Sequence, residues 1–508
     1  MKVVQGSSRN RDLGDYINIL SGTSQNIVGI AVAALATFGA NILLSRTLGT
    51  SSFGIVTVMT QAAFVLSFAT RAGMDMAVLR DVAVDVGVDH PERVRTPVAR
   101  AALIAAAVSA VAALAVTAGA PFVRNVFSID SSRHPLVVEA AAAGLPFLAL
   151  ANVWLSATRG LKIMRYTLYI FWAGQPLAWI ALMLLGWRFS ETTWMSILAY
   201  SASWVVASGA AFLSWRKETS AWPTAPMPPD RVSRLMRYAG PRAPAALFSQ
   251  LLFWTDLFVV TRYVADSEVG VYSAVLRAGQ ILVLFLTSVA LMFSPFVADL
   301  HNRGETERLD GLFKALTRWT LAATVPLFLV LAVAPDGVLN VFGPDFSGGR
   351  AALLIVIAGQ FVNVATGSVG FVLIMVGRTG WDLAVYAASL ALNLGLAFLL
   401  CPRYGITGAA VANAVTFALS KWARLALVRA FVKIQPYERA YGRLVVPALG
   451  GLATMWAVHT FGPGGWLVDL ALTTVAGSLV YGLVYLAVGL TSTERRGALA
   501  LLAKLRGT

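Results

Sequence analysis

Four ionisable side chains lie where an apolar chain tolerates them least. Arg71, Asp75, Asp256 and Arg277 each interrupt a long hydrophobic run. Inside hydrocarbon a charge costs roughly 2.5–3.5 kcal/mol on insertion scales, so each must be paired or put to use. Asp256 and Arg277 fall about eight and nine residues from the outer ends of successive runs, a depth of roughly 12–14 Å in a helix, and so share one level of one hairpin. Two roles fit them. They can form a buried ion pair that locks the hairpin, or Arg277 can bind phosphate while Asp256 tunes or gates it. Gln280, three residues after Arg277, falls on the same helical face and offers hydrogen bonds to sugar or phosphate; Gln250, six residues before Asp256, does likewise. Arg71 and Asp75 are four apart and can pair along one helix. They either snorkel to the interface or form a cytoplasmic entrance for an anionic headgroup.

The elements that hold these residues are membrane spans. Of 508 residues, 13% are charged and 57% hydrophobic, with mean hydropathy +0.71, against roughly 25% charged in soluble proteins. Water-soluble domains, a disulfide-stapled secreted protein and a disordered scaffold are excluded. The single Cys401 and the scattered His90, His134, His301 and His459 offer no metal cluster. The chain carries no phosphate-binding G-x-x-x-x-G-K-[ST] loop, nucleophile turn or zinc helix. We therefore expect no cofactor and no enzyme activity. Asp266-Ser-Glu268, the nearest candidate for glycosyltransferase chemistry, lies in a short loop where turn formation accounts for it.

Apolar runs bounded by charge, Gly and Pro predict about 14 transmembrane helices. They fall at 24–46, 54–78, 98–119, 136–158, 166–186, 193–215, 244–264, 268–294, 318–336, 351–376, 382–401, 406–428, 443–461 and 465–489. With both termini cytoplasmic, thirty-one of the 40 Lys and Arg residues lie on the inner side, seven outside, and Arg71 and Arg277 within spans. The basic excess of +15 is then topological, and nucleic acid is not called for. Residues 12–20 read as a short interfacial helix, and no removable signal peptide is expected. Asp81, Asp85 and Asp89, at four-residue spacing after the second span, read as a solvated cytoplasmic face.

The chain repeats. Arg46…Gly54 between the first two spans recurs as Arg262…Gly270, and Val126-Phe127-Ser-Ile-Asp130 as Val341-Phe342-Gly-Pro-Asp345. Asn152-Val153 and Ile163-Met164 recur as Asn363-Val364 and Ile374-Met375. A near-constant offset with six spans per half implies parallel repeats. This gives an N-lobe at 1–215, a Pro-rich linker at 216–243 with an amphipathic surface helix bearing Arg231, Arg234 and Arg237, a C-lobe at 244–428, and two added spans with a cytoplasmic tail at 429–508. Two pseudo-symmetric six-helix lobes around a cavity are an architecture of transporters. In the first half Asn41 and Gln61 occupy places close to those of Asp256 and Arg277. Asn152, Gln175, Gln360, Asn363 and Asn393 are expected to hydrogen-bond between helices.

The 6+6+2 pattern, with Leu44-Ser-Arg46-Thr-Leu-Gly, Phe53-Gly54, Asp256-Leu-Phe-Val-Val-Thr-Arg262, Val269-Gly270-Val-Tyr272-Ser-Ala and Val341-Phe342-Gly-Pro-Asp345, resembles the polysaccharide transporter or O-antigen flippase family. That family lies in the multidrug/oligosaccharidyl-lipid/polysaccharide (MOP) exporter superfamily. The resemblance implies an all-α integral membrane protein of the inner membrane that flips polyprenyl-(pyro)phosphate-linked oligosaccharide to the outer leaflet. Its expected partners are that lipid-linked glycan, membrane lipids and the glycosyltransferases or polymerase of the same pathway. A cation-coupled drug exporter of the same superfamily, which would need a carboxylate without a fixed basic partner, is the alternative; a polyprenyl-linked glycosyltransferase is another.

Overall fold

In a computed structural model the chain is described over residues 2–87, 90–226, 228, 230–462 and 464–491, with the first helix described side chain by side chain from Val32 onward. Asp89, the tail residues Arg495, Arg496, Lys504 and Arg506, and the side chains of Lys2, Arg9, Arg11, Arg234 and Arg242 lie outside the described residues.

Among the described residues every regular element is helical. Lipid offers the backbone no hydrogen bonds, and helices satisfy it internally. Among the described residues, eleven helices are long and apolar enough to cross a membrane. Two of these, Val32–Thr70 (39 residues) and Thr379–Phe431 (53 residues), exceed the roughly 20 residues of one crossing. Each is interrupted by a non-helical glycine, Gly49 (φ 75°) and Gly405 (φ 52°). Those glycines fall in the expected loops 47–53 and 402–405, and a shorter apolar segment, Ala246–Val260, falls on the expected span 244–264. Each predicted apolar run thus maps onto a helix or consecutive helical segments, although the number of separate long helices is eleven. Large aliphatic side chains such as Val111, Leu114, Leu479 and Leu483 are exposed on these helices, as befits a surface whose solvent is hydrocarbon rather than water.

The chain forms two compact units, one of residues 29–273 with 393–409, the other of residues 1–28, 274–392 and 410–508. In the first, helices Met74–Gly87, Arg95–Ala118, Leu145–Gly160 and Thr193–Thr219 meet around Met74, Val78, Val82, Ala101, Ala149 and Trp215. Small residues bring the backbones close; a Cβ on Gly160 would lie 2.7 Å from Val82 Cβ. In the second unit Phe293, Phe313 and Val428 anchor one cluster. Met455 and Tyr481 dock the C-terminal helices Val445–Phe461 and Trp466–Val484 against Leu329, and the Tyr481 hydroxyl donates to Ala322 O at 2.7 Å.

The linker differs from expectation. Asp230–Val260 is one continuous helix, so the basic segment runs straight into the following span. Arg231 is buried and donates to Asp81 Oδ2 at 3.0 and 2.7 Å and to Asp85. The aspartate ladder is therefore a clasp rather than a solvated face: an arginine fork spans two carboxylates one helical turn apart. Ahead of it, Ala225 N donates to Glu92 O (2.9 Å) and Thr96 Oγ1 to Ala225 O (3.1 Å), strapping the linker to the loop after Met74–Gly87. Arg231→Ala should free this strap. Limited proteolysis of the purified protein should then cut within residues 219–228 faster than in wild type, and equal cutting would show that the clasp holds nothing.

The repeated glycines have a shared use. A Cβ on Gly54 would lie 2.6 Å from Gly270 N, and one on Gly270 only 1.9 Å from Thr50 O. The corresponding positions of the two repeats touch each other, and the contact admits no side chain. Gly270→Ala should cost about 3 kcal/mol, the upper range for overpacking, read as a lowered melting temperature in detergent, whereas Gly209→Ala, with open space around it, should not.

Candidate functional site

The second apolar run, expected to be one helix over 54–78, breaks at its charged residues. The helix ends at Thr70, Ala72 (φ 49°) and Gly73 (φ 70°) are left-handed, and a new helix starts at Met74. Glycine adopts this conformation freely, but for Ala72 it costs on the order of 1–3 kcal/mol, and such strain clusters at working sites. The break carries Arg71, 2% exposed, and Asp75, 7% exposed. Arg71 Nη1 donates to Asp75 Oδ2 at 3.1 Å and Nε to Ser67 O at 3.0 Å, while its guanidinium carbon lies 3.9 Å from the Phe68 ring centre. These contacts hold the arginine inside the protein; it does not snorkel to solvent.

A third charge joins them. Arg159 closes helix Leu145–Gly160, which packs on Met74–Gly87 through Gly160, and is within electrostatic reach of both Arg71 and Asp75. Its Nη2 donates to Ser156 Oγ at 2.5 Å. Arg71 alone bonds the Asp75 carboxylate, and Arg159 stands beside that pair without a salt bridge to it among the described residues. Arg71 Nη2 and Arg159 Nε are buried with no hydrogen-bond partner among the described residues. Sequence reading places Arg159 in a cytoplasmic loop; the signal that marks it, packing against a helix some eighty positions earlier, does not exist in the linear chain.

The remaining expected residues are dispersed along the helices. Asp256 is fully buried and accepts a hydrogen bond from the Tyr272 hydroxyl. Arg277 and Gln280 are half-buried at the end of helix Asp266–Gln280, after which the chain tightens into a 3₁₀ turn over Ile281–Val283. Gln250 is half-buried and Gln61 buried. Asn41 is buried and donates to Thr37 O in its own helix (2.7 Å). Of the other polar residues, Gln175 bonds Ser203 of the adjacent helix (2.9 Å). Asn152 and Asn363 instead bond within their own helices, to Leu148 O and to Gln360 Oε1.

A second buried pair lies outside the sequence reading. Arg424, 2% exposed, donates from Nε to Asp382 Oδ1 at 2.7 Å and also to Ser420, with its guanidinium 4.0 Å from the Tyr386 ring centre. The partners are 42 positions apart on either side of the Gly405 break. Removing one partner leaves a buried charge, about 3–5 kcal/mol, whereas replacing both by apolar residues is close to neutral. Arg424→Met should therefore lower the melting temperature in detergent, and Arg424→Met/Asp382→Leu should restore most of it.

Long apolar helices make this a multi-pass membrane protein, and its fold is that of solved transporters of the MOP superfamily. The solved structure of the lipid II flippase MurJ in its inward closed conformation superposes with TM-score 0.65 at 13% identity, over 89% of this chain and 98% of that one. A family model described as polysaccharide biosynthesis protein matches residues 19–301, more than half of the sequence, and the chain belongs to that family; a MatE family model matches residues 241–399. Two curated relatives come from Haloferax volcanii. "Probable low-salt glycan biosynthesis flippase Agl15" is 25% identical over 45% of this chain and 48% of its own, and "Probable flippase AglR" 23% identical over 48% and 52%. The chain thus spans about half the length of the curated relatives it matches.

Proposed function

We propose that this protein moves polyprenyl-(pyro)phosphate-linked oligosaccharide from the cytoplasmic to the outer leaflet of the inner membrane, with both termini cytoplasmic, by alternating access. The observation that carries this reading is cationic: arginines buried on the helices, Arg71 and Arg159 with donors to spare, in a member of a polysaccharide biosynthesis family. A phosphate needs such donors at depth, and the sugars need polar side chains such as Gln61, Gln250 and Gln280. Arg277 and Asp256 complete the proposed substrate-binding set with Asn41 and Asp75. Glycosyltransferases would supply the cargo on the inner side and a polymerase would consume it outside. An anionic headgroup leaving a negative interior gains about 2.3 kcal/mol per charge per 100 mV, so the membrane potential contributes drive.

The MatE match and the buried Asp256 favour a cation-coupled drug exporter as the second reading. One experiment separates them. Cells lacking the gene should lose surface glycan and accumulate the lipid-linked precursor on the inner leaflet, with drug sensitivity unchanged. Arg277→Ala should reproduce that loss while inserting normally, and Arg277→Lys should keep part of the activity. Intact surface glycan together with raised drug sensitivity in the deletion strain would replace the flippase by the exporter.

A further inference from the structure

We propose that Asp75 is a resident counter-ion in a phosphate-binding site formed by Arg71 and Arg159, holding the site closed when empty and giving up its hold on Arg71 when a phosphate or diphosphate enters. The claim deepens the flippase reading and rests on it for the identity of the molecule that carries the phosphate.

Three observations at one place support it. The first is charge: Arg71 is paired with Asp75, while Arg159, next to the Gly160 that packs on the helix of Asp75, donates to the neutral Ser156, so two arginines and one aspartate carry a formal excess of one positive charge. A purely structural triad that excludes water would be expected to balance, because an uncompensated charge in a low-dielectric interior is costly. The second is donor count. Arg71 presents five N–H donors as a rigid fork. Its Nε and Nη1 are engaged by Ser67 O and Asp75, and its Nη2 is buried without a partner among the described residues. Arg159 likewise spends Nη2 on Ser156 and leaves Nε buried and unpartnered. Leaving such donors unmet costs free energy, and a tetrahedral oxyanion, with several acceptor oxygens, meets both. The third is backbone. Arg71 lies immediately before two left-handed residues, one of them the strained Ala72. The break sets Asp75 on a different helix from Arg71, Met74–Gly87 rather than the one ending at Thr70. Asp75 can therefore turn away from Arg71 through a change at residues 71–73 without either helix unwinding. Phe68 against the guanidinium and the Ser109 Oγ donation to Thr70 Oγ1 at 2.9 Å hold the arginine side of the break in place while this happens.

The roles of the two cations differ. Arg71 is enclosed and pre-oriented, a positioning fork for the phosphate. Arg159, half-buried at a helix end, is the one through which an anion is first met. Asp75 sets the affinity: it competes with the ligand for the same N–H groups, so an empty site is stable and a filled one is not held too tightly to release.

The test uses the full-length protein purified in detergent without phosphate or sulfate, titrated with inorganic pyrophosphate by calorimetry. Wild type should bind saturably. Arg159→Gln should bind about tenfold or more weakly, the loss of one charge-assisted hydrogen bond, and Arg159→Lys should recover part of that loss. Asp75→Asn, which removes the competitor but keeps the shape, should bind several-fold more tightly. A site in which Asp75 merely supports the fold gives the opposite result, weaker binding in Asp75→Asn, and that outcome overturns the proposal, as does wild-type affinity in Arg159→Gln. The second arm repeats the titration in phosphatidylcholine nanodiscs with a long-chain polyprenyl diphosphate competing for the site. Displacement of pyrophosphate at lower lipid than free-anion concentration assigns the site to a lipid-borne phosphate. Displacement no better than by free pyrophosphate leaves the counter-ion mechanism standing and tells against the flippase reading, so the two failures are separable.

Discussion

A charge held away from water must find its compensation inside the protein, and this molecule is arranged around that requirement. An apolar helix can be placed almost anywhere in a bundle, since one aliphatic surface packs much like another. A buried guanidinium cannot. Arg71 requires Asp75 and the Ser67 carbonyl, Arg424 requires Asp382 and Ser420, and Arg231 requires Asp81 with Asp85. Each set fixes which helical segments are neighbours and in what rotation. The small residues follow from the same demand. Gly160 lets the helix bearing Arg159 approach the one bearing Asp75, and with a bulkier residue there the two charges would be held apart.

The three charged sets are not equivalent. At Asp81, Asp85 and Arg231 the carboxylates outnumber the arginine, and the fork between them ties the linker to the helix Met74–Gly87 in the manner of a structural clasp. At Arg424 one carboxylate pairs with the guanidinium, with a hydroxyl and an aromatic face completing the shell and Lys421 within electrostatic reach of both charges. Of the three, only at Arg71, Asp75 and Arg159 does the backbone break at the charge itself. Where electrostatic balance and helical regularity are both given up at one place, the protein has forgone stability that packing alone would have kept. The chemistry left over is that of donors for an anion, which is what the proposed handling of phosphate-linked cargo needs.

Much of the fold was legible before any coordinates. Hydropathy located the helical runs because lipid enforces one solution for the backbone, and the offset of about 216 marked Gly54 and Gly270 as a matched pair. Why both must be glycine was not legible: they meet each other across a contact that excludes a Cβ. Of the site, Arg71 and Asp75 could be found because both interrupt an apolar run and their four-residue spacing predicts a contact, although the structure makes that contact across a break rather than along one helix. The linker arginines and the aspartate ladder were each recognised as periodic and each assigned to solvent. Periodicity shows that residues share a face, but it does not say what that face meets. Arg159 and Arg424 were counted among the inner-side charges for the same reason, since both lie at the inner ends of apolar runs, where a solvated residue and a buried one look alike.

By itself the sequence determined that the chain is a bundle of membrane helices, that it repeats, and that Arg71, Asp75, Asp256 and Arg277 interrupt apolar runs, because these depend on composition and on intervals of three, four or some two hundred residues along one dimension. Tertiary structure alone decided which of those charges are neutralised and which are left in excess. Pairing depends on distances between helices far apart in the chain, on where a left-handed residue interrupts a helix, and on whether a glycine allows two backbones to close the last few ångströms, and none of these is a property of local order.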